Sequence, residues 1–431
     1  MDYTEALILV ISFVVLMGIR VPIAYSIGLS ALLTLVVSIP SLPAMTPLAQ
    51  RMATSLDSFA LLAIPFFILA GQVMNQGGIA RRLIDFAKAI VGPLPGGVAF
   101  VNFMACMLFG AISGSAVAAA SAIGGFMNPM MEKEGYDKSF SAAVNITSAT
   151  TGLIIPPSNI LIIYSLASGG VSIAALFLAG YIPGILIGLA LMLVAGVYAW
   201  MKKYPTAKSV GIRVFFKRFL DAFPSLLLLV VVIGGIVAGI FTATEASAVA
   251  VIYTFILAFA YKEIELKDVP SILLETTKTT AIVMLLIATS VAMSWVMSYE
   301  SIPQEISAGL LDISNNPIVI LIIINLILLF VGIFMDMTPA VLIFTPIFLP
   351  IVTQMGIDPI HFGIIMILNL CIGLCTPPVG SVLFVGCGVA NLKIQQVVRP
   401  LLPLFIAMLM VLMIITYVPE LSVWVPELFG F

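Results

Sequence analysis

Apolar runs near 4–19, 22–39, 58–75, 174–199, 222–241, 246–261, 279–298 and 401–418 dominate this chain, with short polar or Gly/Pro-containing stretches between many of them. Runs of this length cross, or nearly cross, a hydrocarbon core of about 30 Å. No barrel-like alternation of apolar and polar residues is present. In lipid the backbone must bond to itself, so these runs predict helices. Two further apolar segments, 97–131 and 317–352, are interrupted by Ser113-Gly114-Ser115 and by Asp336-Met337-Thr338-Pro339. Each predicts a re-entrant helical hairpin; the alternative is two ordinary helices joined by a Gly/Ser turn. Amphipathic arms are expected at 78–92 and 299–313.

The pattern repeats. Residues 108–157 and 329–378 align without a gap at a constant offset of 221, with twelve identities in fifty pairs. The identities include Pro129/Pro350, Gly135/Gly356, Asp137/Asp358, Gly152/Gly373 and Pro156-Pro157 against Pro377-Pro378. Two weakly similar halves, each with a Gly/Pro-interrupted apolar segment, mark a secondary transporter and point to its binding site.

Composition agrees: 62% of the 431 residues are hydrophobic, 9% are charged, and the mean hydropathy is +1.23, which excludes an ordinary soluble domain. The net charge of −2 distinguishes no partner, and no nucleic-acid partner is expected. Met1–Glu5 has no basic stretch of the kind that opens a cleavable signal, so the first helix is expected to be retained. Cys106, Cys371, Cys375 and Cys387 are scattered, which favours packing over metal ligation. His361 follows Asp358-Pro359 at a helix start, where capping or packing is favoured over proton transfer.

Charge sets the orientation. The stretch 201–221 holds Lys202, Lys203, Lys208, Arg213, Lys217 and Arg218 against Asp221, which places it in the cytoplasm. The first arm carries Arg81, Arg82 and Lys88 against Asp85, whereas the second carries Glu300, Glu305 and Asp312 with no lysine or arginine. Asp57 and Lys278, one offset apart, also differ in sign. Equivalent positions with opposite charge imply opposite membrane faces, so the repeats are expected to be inverted. Arg20 and 132–138 then lie inside; Asp2, Glu5, Glu420 and Glu427 lie outside. The fold class expected is an all-α polytopic membrane protein with two inverted repeats. Its divisions are 1–92 (scaffold helices and arm), 93–173 (hairpin and broken helix) and 174–221 (closing helix and connector). The second half gives 222–313, 314–400 and 401–431 in the same roles.

The chemistry concentrates at the breaks. Pro156 and Pro157 remove two backbone donors and push the residues before them out of the helical region. Carbonyls freed at membrane depth survive only where protein or a cavity surrounds them. The same holds at Gly373–Ser381, and two symmetric breaks favour a cavity over a packing kink. Carbonyls, hydroxyls and one carboxylate form a hard oxygen set with too little charge for a divalent ion. The candidate sodium ligands are Ser113, Gly114, Ser115, Gly152 and Pro156 in the first half, and Asp336, Thr338, Gly373, Cys375 and Thr376 in the second. Half-helix N-termini after the prolines carry partial positive charge. They make Ser158, Asn159, Gly380 and Ser381 candidate substrate contacts, with Thr147 and Glu245. Asp336, an isolated intramembrane carboxylate, is a functional candidate, a helix cap, or both. Glu245 fits a capping box with Thr242 as well as it fits a transport role.

Pro65–Gly71, Gly92–Gly97, Ile112–Ser115, Gly152–Ser158, Gly356–Gly363, Asn369–Gly380 and Leu383–Val385 resemble the large membrane subunit of tripartite ATP-independent periplasmic (TRAP) transporters. The resemblance runs over essentially the whole chain. It implies an elevator-type, sodium-driven symporter of the bacterial inner membrane, similar to the wider ion-transporter superfamily and needing no other cofactor. It also implies a periplasmic substrate-binding protein, a small four-helix membrane subunit on a separate chain, and a carboxylate substrate. Two departures stand out: Thr242-Ala-Thr-Glu245 where the family often has Thr-Pro-Thr-Glu, and Ala116–Ala120 where many members carry an aspartate. The first-half ion site must therefore rely on hydroxyls and carbonyls. The hydroxyl-rich run Asn145–Thr151 with Tyr164, Ser165 and Ser168 favours a polyol-like acid such as sialic acid over a C4-dicarboxylate. A stand-alone sodium/dicarboxylate symporter is the alternative; an intramembrane hydrolase lacks a second catalytic group.

Overall fold

The computed structural model describes residues 4–39, 41–205 and 211–431, apart from the side chains of Ser41, Leu42, Ala80, Ile112 and Ser113. Asp2, Lys208 and the Ser113 hydroxyl therefore lie outside the described residues. The described chain is helical throughout. Its first half runs α1 (Thr4–Gly18), α2 (Ile23–Ser38), α3 (Ser41–Thr54), a 3₁₀ turn (Phe59–Leu62), α4 (Ala63–Gln76) and α5 (Ile79–Val91). Then follow α6 (Gly97–Ser113), α7 (Ala116–Lys133), α8 (Lys138–Thr151), α9 (Asn159–Ala167) and α10 (Ile173–Lys202). The second half runs α11 (Ile212–Val237), α12 (Ala243–Ala260), α13 (Val269–Tyr299), α14 (Ile302–Ile313), α15 (Pro317–Phe334) and α16 (Met337–Gln354). It closes with α17 (Pro359–Gly373), α18 (Ser381–Ala390), α19 (Ile394–Tyr417) and α20 (Glu420–Leu428).

The offset of 221 reproduces the elements as well as the residues: shifted by it, Ala116–Lys133 falls on 337–354, the bounds of α16. Helices occupy Ile79–Val91 and Ile302–Ile313, and helix ends fall at Ser113/Ala116, Phe334/Met337, Thr151/Asn159 and Gly373/Ser381. Three features differ from the sequence expectation. Helix α11 starts at Ile212, so the basic connector is helical over its second half and the division at 221/222 cuts through an element. The third helix of repeat 2 is one piece of 31 residues, whereas its counterpart is split between α3 and α4. Helices α3 and α20 are additional; α3 contains Pro47 and Arg51 and α20 contains Pro426, features that dilute an apolar run.

Helices α1 to α4 pack with α12 and α13 as an outer group, and α5 packs on α11. The hairpins and broken helices form an inner group with exchanged contacts: α7 of repeat 1 lies on α18 of repeat 2, and α16 lies on α9. Helix α10 meets α19 between them. Close crossings hold each hairpin to its broken helix. A Cβ on Gly110 would lie 2.8 Å from the Gly152 Cα, and one on Gly332 2.9 Å from the Gly373 Cα. Small residues allow such backbone approach in membrane helices. Buried polar groups lie beside these crossings. The Ser148 hydroxyl donates to Asn102 Oδ1 at 2.7 Å. The Asn369 amide donates to Asn325 Oδ1 at 2.7 Å, and the Asn325 amide to the Thr416 hydroxyl at 3.2 Å.

Large apolar side chains on α1, α2, α11 and α12 remain exposed, among them Val10, Val14, Leu33, Val230 and Ile252. Among the described residues, eight helical segments are long and apolar enough to cross a membrane. An outward apolar surface of this kind requires lipid or another chain against it.

Candidate functional site

Both hairpin tips open on one cavity of about 380 Å³. The first tip contributes Gly114 and Ser115, the second Asp336, Met337 and Thr338. Leu153 and Asn159 come from the first break, and Leu374 from the edge of the second. Helix α4 supplies a wall through Ile64, Ile68, Gly71, Gln72 and Asn75, and α13 adds Thr279 and Val283.

The tip geometry follows from local chemistry. Gly114 ends α6 in the left-handed region, φ +62°, and a Cβ there would stand 2.5 Å from the Asn159 amide nitrogen. Glycine answers both demands. Ser115 then caps α7, its hydroxyl accepting from the Ala118 N–H at 3.2 Å. Asp336, one offset later, stands at the same capping position of α16 in extended conformation, yet its carboxylate makes no capping bond. The residue lines the cavity, so it holds the cap position in the chain without making the cap's hydrogen bond. The cavity lining contains no lysine or arginine. Nearby Lys278 is paired with Glu275 at 2.7 Å.

Three helices begin at this cavity. The first turns of α7 (Ala116, Val117, Ala118), α9 (Asn159, Ile160) and α16 (Met337, Thr338) all line it. Each N-terminus carries unsatisfied N–H groups and about half a positive charge. Asn159 adds a buried Oδ1 that has no hydrogen-bond partner.

Of the residues singled out in the sequence, Gly114, Ser115, Asn159, Asp336 and Thr338 meet here, and the others have different places. Gly152 and Gly373 are the glycine crossings described above. Pro156-Pro157 and Pro377-Pro378 are both cis. The Ser158 hydroxyl bridges the first break by donating to the Leu153 carbonyl. Cys375 donates through sulfur to the Ile146 carbonyl at 3.4 Å, and Thr376 to the Ile372 carbonyl at 2.8 Å. Gly380 caps α18; the adjacent Ser381 Oγ has no partner and does not line the cavity. Glu245 completes the capping box of α12, its carboxylate accepting from the Thr242 N–H at 2.8 Å, and is likewise outside the lining. The Thr147 hydroxyl donates to the Ala143 carbonyl at 2.9 Å.

The rest of the hydroxyl-rich run behaves like Thr147: Ser148, Thr150 and Thr151 are buried and donate to carbonyls three residues back. Tyr164 donates to the Pro359 carbonyl at 2.6 Å. None of these lines the cavity, so the feature that favoured a polyol acid does not reach it. His361 is buried with Nε2 3.4 Å from the Thr416 carbonyl, and Asp358 caps its helix. Among the described residues no cluster of histidine, cysteine and carboxylate could hold a metal ion. Sequence reasoning missed Gln72, Asn75, Ser121 and Thr279 as lining residues. The signal for the first two was present: they are polar positions on the face of α4 that also carries Ile64, Ile68 and Gly71.

Paired hairpins, paired broken helices and a cavity enclosed by both define a polytopic helical membrane transporter. The chain belongs to the family of the DctM component of the tripartite ATP-independent periplasmic transporters, whose model matches residues 10–421. It is 56% identical over 419 residues to the uncharacterized protein YgiK of Salmonella typhimurium, covering 97% of this chain and 96% of that one. It is 41% identical to the C4-dicarboxylate TRAP transporter large permease DctM of Pseudomonas aeruginosa, covering 94% of each. It is 40% identical to the sialic acid large permease SiaM of Vibrio cholerae, covering 88% and 89%. In structure it resembles the YdaH transporter of Alcanivorax borkumensis, with a TM-score of 0.69 at 13% identity over 98% of each chain, which speaks to the fold alone. The protein is thus a multi-pass transport protein of the inner membrane, and not an enzyme.

Proposed function

We propose that this chain is the sodium-driven permease subunit for a small organic acid that a periplasmic binding protein delivers, working beside a small membrane subunit. The observation that carries the reading is the convergence of three helix N-termini on a cavity whose lining has one carboxylate and no cationic side chain. The N-termini favour an anion. Asp336 opposes it, so a bound cation has to compensate before the two negative charges share a low-dielectric space. Sodium, ligated by tip hydroxyls, backbone carbonyls and Asp336, meets that need and couples the ion to the substrate.

Alternating access is read as an elevator motion of the inner group against the outer group, the two repeats being inverted. With the basic connector in the cytoplasm, Gln72 and Asn75 of α4 and Thr279 of α13 fall in the cytoplasmic halves of their helices. The conformation is then the inward-facing one. Because the hydroxyl-rich run does not line the cavity, the reading stops at a small organic acid, with C4-dicarboxylates and sialic acid both to be tried.

The test is uptake by proteoliposomes containing the chain with its small subunit and binding protein. Labelled dicarboxylate, sialic acid and an uncharged sugar would be supplied under a sodium gradient or a proton gradient alone. Uptake of an acid is expected only with sodium and the binding protein. Equal uptake without sodium would remove the coupling, and uptake by the chain alone would favour the stand-alone symporter.

A further inference from the structure

Outside the transport cavity, Arg213, Lys217 and Arg218 bring basic side chains together on the first turns of α11. Phe215 and Phe219 point one face of this segment at α5: their rings stand 6.2 and 5.6 Å from that of Phe86. Arg218 reinforces the contact, its guanidinium donating to the Asp85 carbonyl at 3.4 Å. At 100° per residue, Arg213, Lys217 and Leu220 fall on the opposite face. Together with Val214, Phe216 and Asp221 they form an open patch on the surface of α11. Arg213, Phe216, Lys217 and Leu220 are exposed. Among the described residues no carboxylate lies within ion-pair distance of Arg213 or Lys217; Asp221, four residues after Lys217, offsets part of their charge and leaves the face net positive.

We infer that this patch binds one anionic phospholipid of the cytoplasmic leaflet, its phosphate on Arg213 and Lys217 and its acyl chain along Phe216 and Leu220. Three features select a lipid over a soluble anion or a protein segment. The cations sit at the end of α11 that the basic connector places in the cytoplasm, where anionic headgroups concentrate. The apolar side chains next to them continue without a break, through exposed Phe223, into the membrane-crossing part of the helix. Long basic side chains beside such a stripe extend naturally to headgroup level. The bound lipid fastens α11, and through Phe86 and Asp85 the arm α5, at the bilayer surface. The inference is independent of substrate and of ion coupling.

Native mass spectrometry of the purified full chain, titrated with phosphatidylglycerol or phosphatidylcholine, tests it. Phosphatidylglycerol should add one adduct that phosphatidylcholine does not. With roughly a fivefold contribution per basic residue at a membrane surface, Arg213→Gln with Lys217→Gln should weaken that adduct about 30-fold. The charge-preserving pair Arg213→Lys with Lys217→Arg should keep it, and all three proteins should melt alike in phosphatidylcholine. Equal adducts with the two lipids, or an undiminished adduct in the glutamine pair, would overturn the inference. So would shielding of Arg213→Cys from alkylation by the small subunit irrespective of lipid, which would assign the face to a protein.

Discussion

Asp336 and Ser115 occupy equivalent positions, each the residue that starts the second arm of a hairpin, and they use that position differently. Ser115 spends its oxygen on the backbone of α7; Asp336 makes no such capping bond and lines the cavity. A carboxylate in such a place is unfavourable unless a cation accompanies it, so it should be the residue on which ion coupling depends. Asp336→Ala is expected to lower sodium-dependent uptake at least tenfold while the thermal midpoint in detergent changes by no more than a few degrees, measured by proteoliposome transport and by a melting assay. Wild-type uptake by the variant would reduce Asp336 to a helix start. Gly114 makes a second prediction. Alanine there meets both a left-handed backbone, at about 1–2 kcal/mol, and the Asn159 amide. Gly114→Ala should depress transport through displacement of the tip, visible as altered alkylation of a cysteine at Val117.

At the level of elements, each hairpin is tied to its broken helix by a glycine crossing and a buried polar contact. In repeat 2, Asn369 donates both to the Asn325 side chain and to its backbone carbonyl, at 2.7 and 2.9 Å. Removing one partner of a buried pair costs about 1–3 kcal/mol. Asn369→Ala should therefore lower the thermal midpoint of the purified chain, and Asn325→Ala added to it should cost less than it does alone; additive losses would deny the pairing. The breaks themselves were legible because proline acts locally, through a missing N–H and a fixed φ, whatever surrounds it. The capping box at Thr242–Glu245 was readable for the same reason. The glycine crossings were not: nothing near Gly110 in the chain says that Gly152 will lie against it.

For the molecule as a whole, the outer helices and the inner hairpin group meet across the cavity, with α4 and α13 as the outer wall. If the inner group carries substrate by moving along that wall, the exposure of its two tips must change in opposite senses. Cysteines placed at Val117 and at Thr338 should show reciprocal changes in labelling when sodium and substrate are added, while one at Leu33 on the outer surface should not change. Constant labelling at both tips would exclude a moving inner group.

The chain by itself determined its solvent, its twofold repeat, its hairpins and its breaks, because apolar run length, proline and glycine act over a few residues. It also singled out Asp336, since a carboxylate in an apolar segment needs a compensating cation or partner in any fold. Only the tertiary structure decided which polar groups face the cavity. Thr147, Thr150 and Thr151 donate their hydroxyls within their own helix, Ser148 also reaches Asn102 of α6, and Glu245 is consumed by a cap. Gln72 and Asn75, by contrast, face the inner group because α4 packs against α12 and α13, more than 160 residues away in the chain. Where a polar side chain points at membrane depth depends on which backbone groups lie within reach, and that is a property of packing between distant segments.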